Sequence, residues 1–331
     1  MDLSVVFYGT GGSVPTARRA TACLLIRAGG KRVLIDCGEG AQRQMIQSTG
    51  LVQVDEILIT HFHADHYLGL PGLLKTYDLQ ERQAPLRIGG PPGLVGLFEA
   101  LRRIFGKIRY EVELVELEGG GSLSHDEGFE MHAFEVEHRM RANGYAFVEA
   151  ERPGRFDAER ARRLGVGDVR DFGRLQRGEA VPVDGGEVRP EQVMGEARRG
   201  RKVVVTGDSA PCEMTRVAAH QAQLLVHDGT FAEEEAARAA ETGHSTARQA
   251  AELAAAAEAQ LLALVHVSSR YHVGAVIKEA RQAFANTHAV RDFDLVEIPF
   301  PERGDPKLIE GGARERPEER AEPAPEAVEA D

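Results

Sequence analysis

Short apolar runs recur along the chain, and many of them stop at a glycine, an aspartate or a histidine. Leu3-Ser4-Val5-Val6-Phe7-Tyr8 opens the series. It is too short to span a membrane and reads as a first strand. Leu24–Ile26 and Arg32–Asp36 are β-like and separated by Gly29-Gly30, a hairpin signal. Val54–Thr60 follows. Further strands are expected at Leu86–Ile88, Tyr110–Leu117, Phe129–Val136, Gly144–Val148, Lys202–Val205, Leu224–Val226 and Leu262–Val267. Three stretches read as helices. Ala41–Ser48 follows the turn Asp36-Cys37-Gly38-Glu39-Gly40. In Leu68–Leu79, Gly69, Pro71 and Gly72 make the first turn irregular. Thr246–Gln260 is alanine-rich, with capping-box spacing between Thr246 and Gln249. Many β runs with scattered helices predict two packed sheets covered by helices, an α/β or α+β layering.

Two segments break the pattern. Residues 151–199 have sparse apolar positions, many glycines and charges, and Pro153, Pro182 and Pro190. They interrupt two strand-like runs as an insertion grafted onto a loop would. Residues 302–331 are rich in Glu, Arg, Pro and Ala and are expected to form a disordered acidic tail.

At 331 residues the chain can bury a full core, in one or two domains. The segment Met1–Gly9 lacks the basic start of a signal peptide, and no apolar run approaches a membrane span. The three cysteines, Cys23, Cys37 and Cys212, are odd in number and far apart. No disulfide framework follows, and a reducing cytoplasmic location is expected. The net charge of −12 weighs against a nucleic-acid partner, but residues 302–331 alone hold ten acids against five bases. Bound cations would also add positive charge locally.

The densest chemistry is His61-Phe62-His63-Ala64-Asp65-His66, directly after the apolar Ile57-Leu58-Ile59. If that run continues as a strand, His61 and His63 point to one side. Converging neutral imidazoles suit a borderline-soft divalent metal such as zinc. Asp65 and His66 can face a second metal, and a pair of metals about 3.5–4 Å apart is a standard device for in-line attack on phosphorus. More ligands are needed. His138, Asp208 and His266 each stand just past an apolar run, as functional groups do at one edge of α/β sheets.

With these residues in view, the chain resembles the metallo-β-lactamase superfamily, and within it the ribonuclease Z family. The resemblance is carried by Gly9-Thr10-Gly11-Gly12-Ser13-Val14-Pro15-Thr16, Gly38-Glu39-Gly40-Ala41-Gln42, Thr60–His66 with Gly69-Leu70-Pro71-Gly72-Leu73-Leu74, and Gly207-Asp208-Ser209. Downstream it continues in His227-Asp228-Gly229-Thr230, His244-Ser245-Thr246 and His266-Val267-Ser268-Ser269-Arg270-Tyr271. It implies a four-layer αββα sandwich over residues 1–301, interrupted by 151–199 as a protruding tRNA-binding arm. It implies two Zn²⁺ per subunit, with Mn²⁺ as the other candidate: His61, His63 and His138 on one, Asp65, His66 and His266 on the other, Asp208 bridging. It implies cleavage of precursor tRNA to a 3′-hydroxyl tRNA and a 5′-phosphorylated trailer by a homodimer.

Within that frame Asp65 orients the attacking oxygen. His244 is the candidate proton donor, with Asp228 orienting it. A carboxylate raises the pKa of an imidazole while a helix start lowers it, so the net shift of His244 is left open. Arg270 is a candidate phosphate clamp or an ordinary surface arginine. Asp36 is a candidate partner for a ligand histidine or a turn cap. Arg160, Arg162 and Arg163, with Arg152 and Arg155, give 152–163 five bases against two acids, and Arg198, Arg199, Arg201 and Lys202 add to them. Folded RNA is gripped largely by shape and backbone, so such an arm needs no sequence code. The chain departs from the family in three places. Arg19-Ala20 replaces an Arg-Asn pair, Asp228 replaces a glutamate, and no Gly-Pro signature is visible around Gly165–Gly173. Two other readings stay open: a hydrolase of small phosphodiesters or esters, and a non-catalytic RNA-binding protein with a residual metal site. His125, His132, His220, His272 and His288 have no ligand-like context.

Overall fold

The computed structural model describes residues 2–125 and 128–314. Six strands come first: β1 (Leu3–Gly9), β2 (Cys23–Ala28), β3 (Lys31–Ile35), β4 (Glu56–Leu58), β5 (Leu86–Gly90) and β6 (Val112–Glu116). Then come β7 (Ser122–His125), β8 (Phe129–Glu135), β9 (Asn143–Glu149), the short pair β10 (Val181–Val183) and β11 (Gly186–Val188), β12 (Lys202–Val205), β13 (Leu224–Asp228), β14 (Leu261–Val265) and β15 (Thr287–Ala289). The chain then returns with β16 (Leu295–Glu297) and β17 (Lys307–Ile309). One sheet has the order β17-β16-β1-β2-β3-β4-β5-β6, the other β15-β14-β13-β12-β9-β8-β7. Within them β3 to β6 and β12 to β15 run parallel.

The central strands of each sheet are buried on both faces, so they alternate between two cores rather than between core and water. In β1, Leu3, Val5 and Phe7 enter the core between the sheets, whereas Val6 and Tyr8 face helices. In β14, Leu261 and Ala263 face inward and Leu262 and Leu264 outward. Helices α1 (Ala41–Ser48), α2 (Ala64–Tyr67), α3 (Leu70–Leu79) and α4 (Leu94–Phe105) accompany the first sheet. Met45, Leu73, Leu74, Tyr77 and Phe98 lie in its outer core. After α5 (Ala158–Arg163) and α6 (Val169–Gln176) come α7 (Glu213–Ala218), α8 (Ala236–Thr242), α9 (Ala247–Ala256) and α10 (Val273–Ala283). The second sheet packs on alanine-rich α9 and on α10, through Ala250, Ala251, Ala254, Val276 and Ala280. The result is the expected αββα sandwich. Each fully buried aliphatic in it contributes about 1.5–3 kcal/mol.

The Thr246–Gln249 capping box forms, with Thr246 accepting from the Gln249 amide and Gln249 accepting from Thr246. The expected helix 68–79 forms from Leu70 as α3, its start at Gly69 and Pro71, and a separate one-turn helix, α2, precedes it inside the histidine cluster. The fourth strand ends at Leu58, so His61 and His63 stand on a loop, not on a continued strand.

The insertion leaves after β9 and returns into β12, its antiparallel neighbour. It holds α5, α6, β10 and β11 around a small core of its own, with Ala161, Val166, Phe172, Leu175, Val181, Val188 and Val193 buried. Asp157 and Asp168 cap the two helices. The root is clamped. Arg201, buried at the base, pairs with Glu149 (2.7 and 2.9 Å) and donates to the Ile298 carbonyl (2.9 Å).

Residues 302–314 overturn the expectation of a tail that is disordered from its first residue. Leu308 and its neighbours form β17 on the edge of the first sheet. Glu302 binds Arg152 (2.7 and 3.0 Å) and Arg198 (2.9 Å), so its charge is paired rather than solvated. Residues 315–331 lie outside the described residues, as does the side chain of His125. Among the described residues no helix is long and apolar enough to cross a membrane.

Because the arm has its own core, replacing residues 155–195 by a short Gly-Ser linker is expected to leave one cooperative thermal transition, within about 4 °C of the parent. Calorimetry checks this; loss of the transition would make the segment part of the sandwich.

Candidate metal centre and active site

The functional side chains gather at one edge, where strands of both sheets end. Asp36 follows β3, the His61 loop follows β4, and His138 stands past β8. Asp208 follows β12, Asp228 ends β13, and His266 follows β14. Several of these exits turn through the left-handed region: Asp36 (φ 58°), Gly207 (φ 65°) and His266 (φ 60°). For non-glycine residues such turns cost on the order of 1–3 kcal/mol, and the surroundings must hold them. His266 is held by its N–H to the Thr10 carbonyl (3.0 Å). Its ring lies against Gly12, where a Cβ would come within 2.6 Å of the imidazole, so only glycine fits there.

His61, His63, His138 and Asp208 form one convergent group, and Asp65, His66 and His266 another. Asp208 stands between them. Its oxygens lie 3.8 Å from His61 Nε2, 3.5 Å from His66 Nε2 and 3.2 Å from His266 Nε2. Asp65 Oδ2 lies 3.5 Å from His66 Nε2 and 3.6 Å from His266 Nε2, and accepts the Ser13 N–H (2.9 Å). His63 Nδ1 approaches His61 Nε2 (2.9 Å) and His138 Nε2 (3.3 Å). His61, His66, Asp208 and His266 are buried; Asp65 and His138 are half-buried, and His63 is exposed.

The orientation of the rings has a clear origin. Asp36 accepts from His66 Nδ1 (2.7 Å) and from the Thr60 hydroxyl (2.9 Å), and that hydroxyl accepts from His61 Nδ1 (3.1 Å). Asp228 repeats the device. It accepts from His244 Nδ1 (2.6 Å) and from the Thr230 hydroxyl (2.6 Å), which accepts from His266 Nδ1 (2.7 Å). His138 Nδ1 donates to the Gly243 carbonyl (2.7 Å). With Nδ1 occupied, each of these rings presents Nε2 to the centre. The Nε2 atoms of His66 and His266 are buried without a hydrogen-bond partner, a costly arrangement unless something else meets them. A set of imidazole nitrogens and carboxylate oxygens around such orphaned atoms fits a borderline divalent cation.

Burial drives His61 well below the ordinary imidazole range and lowers His63 and His138 too. At His66 and His266 burial has the same sense, but carboxylates outweigh it. Asp36 and Asp208 raise His66 well above its ordinary value, and Asp208 and Asp65 raise His266 to about 9. At His244 burial opposes and Asp228, with its carboxylate at 2.6 Å, prevails, so its pKa is raised. The His244 ring stacks on His266 at 5.1 Å and lies 5.1 Å from His138.

Not every candidate joins the cluster. Arg270 is exposed, 3.9 Å from Glu235 and over the Phe231 ring at 5.6 Å. Arg160, Arg162 and Arg163 are exposed on α5 in the insertion; Arg162 lies over Phe172 and Arg163 near Glu159. Thr60, Thr230 and the Gly243 carbonyl escaped the reading of the sequence. Both threonines lie inside the quoted motifs, which was the available signal; a backbone carbonyl leaves none.

A profile of the metallo-beta-lactamase superfamily matches residues 16–261. The chain belongs to this superfamily. Ribonuclease Z of Natronomonas pharaonis is 46% identical over 91% of this chain and 100% of that protein, and ribonuclease Z of Haloferax volcanii is 44% identical over 91% and 96%. The crystal structure of human tRNase Z, short form, superposes with a TM-score of 0.64 at 26% identity, covering 89% of this chain and 99% of that one. Within the superfamily, the chain is a member of the ribonuclease Z family.

A divalent cation must displace the protons that Asp36, Asp65 and Asp208 draw onto His66 and His266. Loading with Zn²⁺ at neutral pH is therefore expected to release protons, and apparent affinity to climb between about pH 6 and pH 9. Titration calorimetry in buffers of different ionisation enthalpy counts them; a count of zero would contradict the assignment.

Proposed function

We propose that this protein is a zinc-dependent endoribonuclease that cleaves precursor tRNA at its 3′ side. The observation that carries the reading is seven side chains converging on one centre, two with orphaned Nε2 atoms, in a chain that aligns over 91% of its length with ribonuclease Z. His61, His63 and His138 would hold one cation and Asp65, His66 and His266 the other, with Asp208 between. Mn²⁺ is the other metal the same donors accept. Two cations there would supply Lewis acidity, easing proton loss from the attacking water and neutralising charge that builds on the phosphate.

The chain's own groups do the rest. Asp65, fixed by the Ser13 N–H, orients the attacking water in line with the scissile bond. The P–O3′ bond breaks as the new P–O bond forms. His244 gives its Nε2 proton to the departing 3′ oxygen, leaving a tRNA 3′-hydroxyl and a 5′-phosphorylated trailer. Its Nδ1 is tied to Asp228, which keeps the ring oriented and favours the charged form before transfer. Asp228, although one methylene shorter than the glutamate the family resemblance would place there, reaches His244 at 2.6 Å. Arg270 is assigned a phosphate contact at the rim. The arm, with Arg160, Arg162 and Arg163 exposed, grips the tRNA body away from the cut. The protein acts as a homodimer in the cytoplasm, one subunit's arm serving the other's site.

His244→Ala is expected to lower kcat on precursor tRNA by about 10²–10⁴-fold without changing bound metal, measured by metal analysis beside single-turnover cleavage. Unchanged turnover would remove His244 from the reaction. Replacing 155–195 by a Gly-Ser linker should abolish precursor tRNA cleavage while sparing hydrolysis of bis(p-nitrophenyl) phosphate. Equal loss of both would deny the arm a role in recognition.

A further inference from the structure

A pocket of about 800 Å³ opens at the sheet edge opposite the metal ligands. Its residues lie at the starts of β1, β3 and β12 and at the ends of β2 and β16, whereas the ligands follow the other ends of these sheets. Arg27, Lys31, Arg32, Arg201, Arg303 and Lys307 line it, and Asp2 and Glu297 are the acids of the lining. Six cations against two acids is a strong local reversal in a chain of net charge −12.

Strand register concentrates this charge. Lys307 pairs with Glu297, Glu297 with Ser4, Ser4 with Arg27 and Arg27 with Arg32, so these residues form one row across five strands. Like charges directly opposite each other destabilise a sheet, yet the row keeps two guanidiniums side by side. Their partners are weak. Arg27 donates to the Ser4 hydroxyl (3.1 Å), and Arg32 Nη1 reaches the Gln53 carbonyl (3.4 Å). Arg201 alone is fully engaged, by Glu149 and Ile298. Such a local departure from sheet stability is what functional positions characteristically carry.

We propose that this pocket binds the phosphates of a polyanionic ligand, through Arg27, Arg32, Arg303 and Lys307. Guanidinium forks match phosphate oxygens in pairs, and the volume is that of a small-ligand site. The pocket borders the arm. Arg201 and Phe300 line it, and Arg152, at the arm's root, lies over the same Phe300 ring at 3.8 Å. The phosphates therefore come either from RNA backbone running off the arm or from a free polyphosphate chain. The first source rests on the tRNA-processing reading; the second does not.

The test uses the full chain and the triple variant Arg32→Gln/Arg303→Gln/Lys307→Gln, with Lys307→Glu as a second variant should the triple not fold. Hydrolysis of bis(p-nitrophenyl) phosphate verifies that each is intact. Calorimetry with sodium tripolyphosphate should show binding to the parent, weakened on the order of tenfold in the variants. With RNA as the source, the slope of log affinity for precursor tRNA against log salt also falls, by about two to three in the triple variant. With a free polyphosphate, only tripolyphosphate binding changes. If the parent does not cleave precursor tRNA yet binds tripolyphosphate through these residues, the tRNA reading fails and the pocket stands. If neither tripolyphosphate affinity nor the salt slope differs between parent and variants, the pocket proposal is overturned.

Discussion

Everything at the metal centre depends on which nitrogen of each imidazole is already engaged. Two carboxylates, Asp36 at the exit of β3 and Asp228 at the end of β13, each orient two rings: one by direct contact and one through a threonine hydroxyl. The two relays come from different sheets and face each other across the cluster. A freely rotating histidine would lose side-chain entropy on capture of a cation; here that loss is met when the protein folds. At His66 and His266 the carboxylates also raise the basicity of the rings, which strengthens them as ligands, and at His244 Asp228 favours the charged form of the ring.

Much of this was legible from residue order, and the rest was hidden for identifiable reasons. The His61–His66 cluster and the strand-exit positions of His138, Asp208 and His266 could be found because a chemically active residue after an apolar run is unusual. The sandwich was legible because runs such as Leu261–Val265 are apolar on both faces, as strands with two cores require. The insertion's internal fold was not. Its seven buried residues are spread over short elements, too few in any one to show a period. Residues 302–314 misled because composition reports net polarity, whereas β17 is stabilised by backbone pairing and Glu302 by two arginines of the arm root. The sign of the His244 shift needed a distance, which no sequence contains.

The placement of charge reconciles an acidic chain with a polyanionic substrate. Net charge describes the far field, while binding is decided within a Debye length of about 10 Å. Exposed arginines stand on the arm, and more cations line the opposite sheet edge. The surplus of acid elsewhere favours solubility and discourages RNA from settling on the wrong face.

The pairing of β1 with β16 has a consequence for biosynthesis. The loop bearing Gly12 and Ser13 is tied by Thr10 and Ala20 to Asp292, and Thr10 in turn holds His266. Segments at opposite ends of the sandwich's sequence are thus locked around the same ligands. A growing polypeptide cannot complete this centre on the ribosome until almost the whole sandwich has emerged, so neither a nascent nor a truncated chain would release a partly active nuclease among the cell's RNAs.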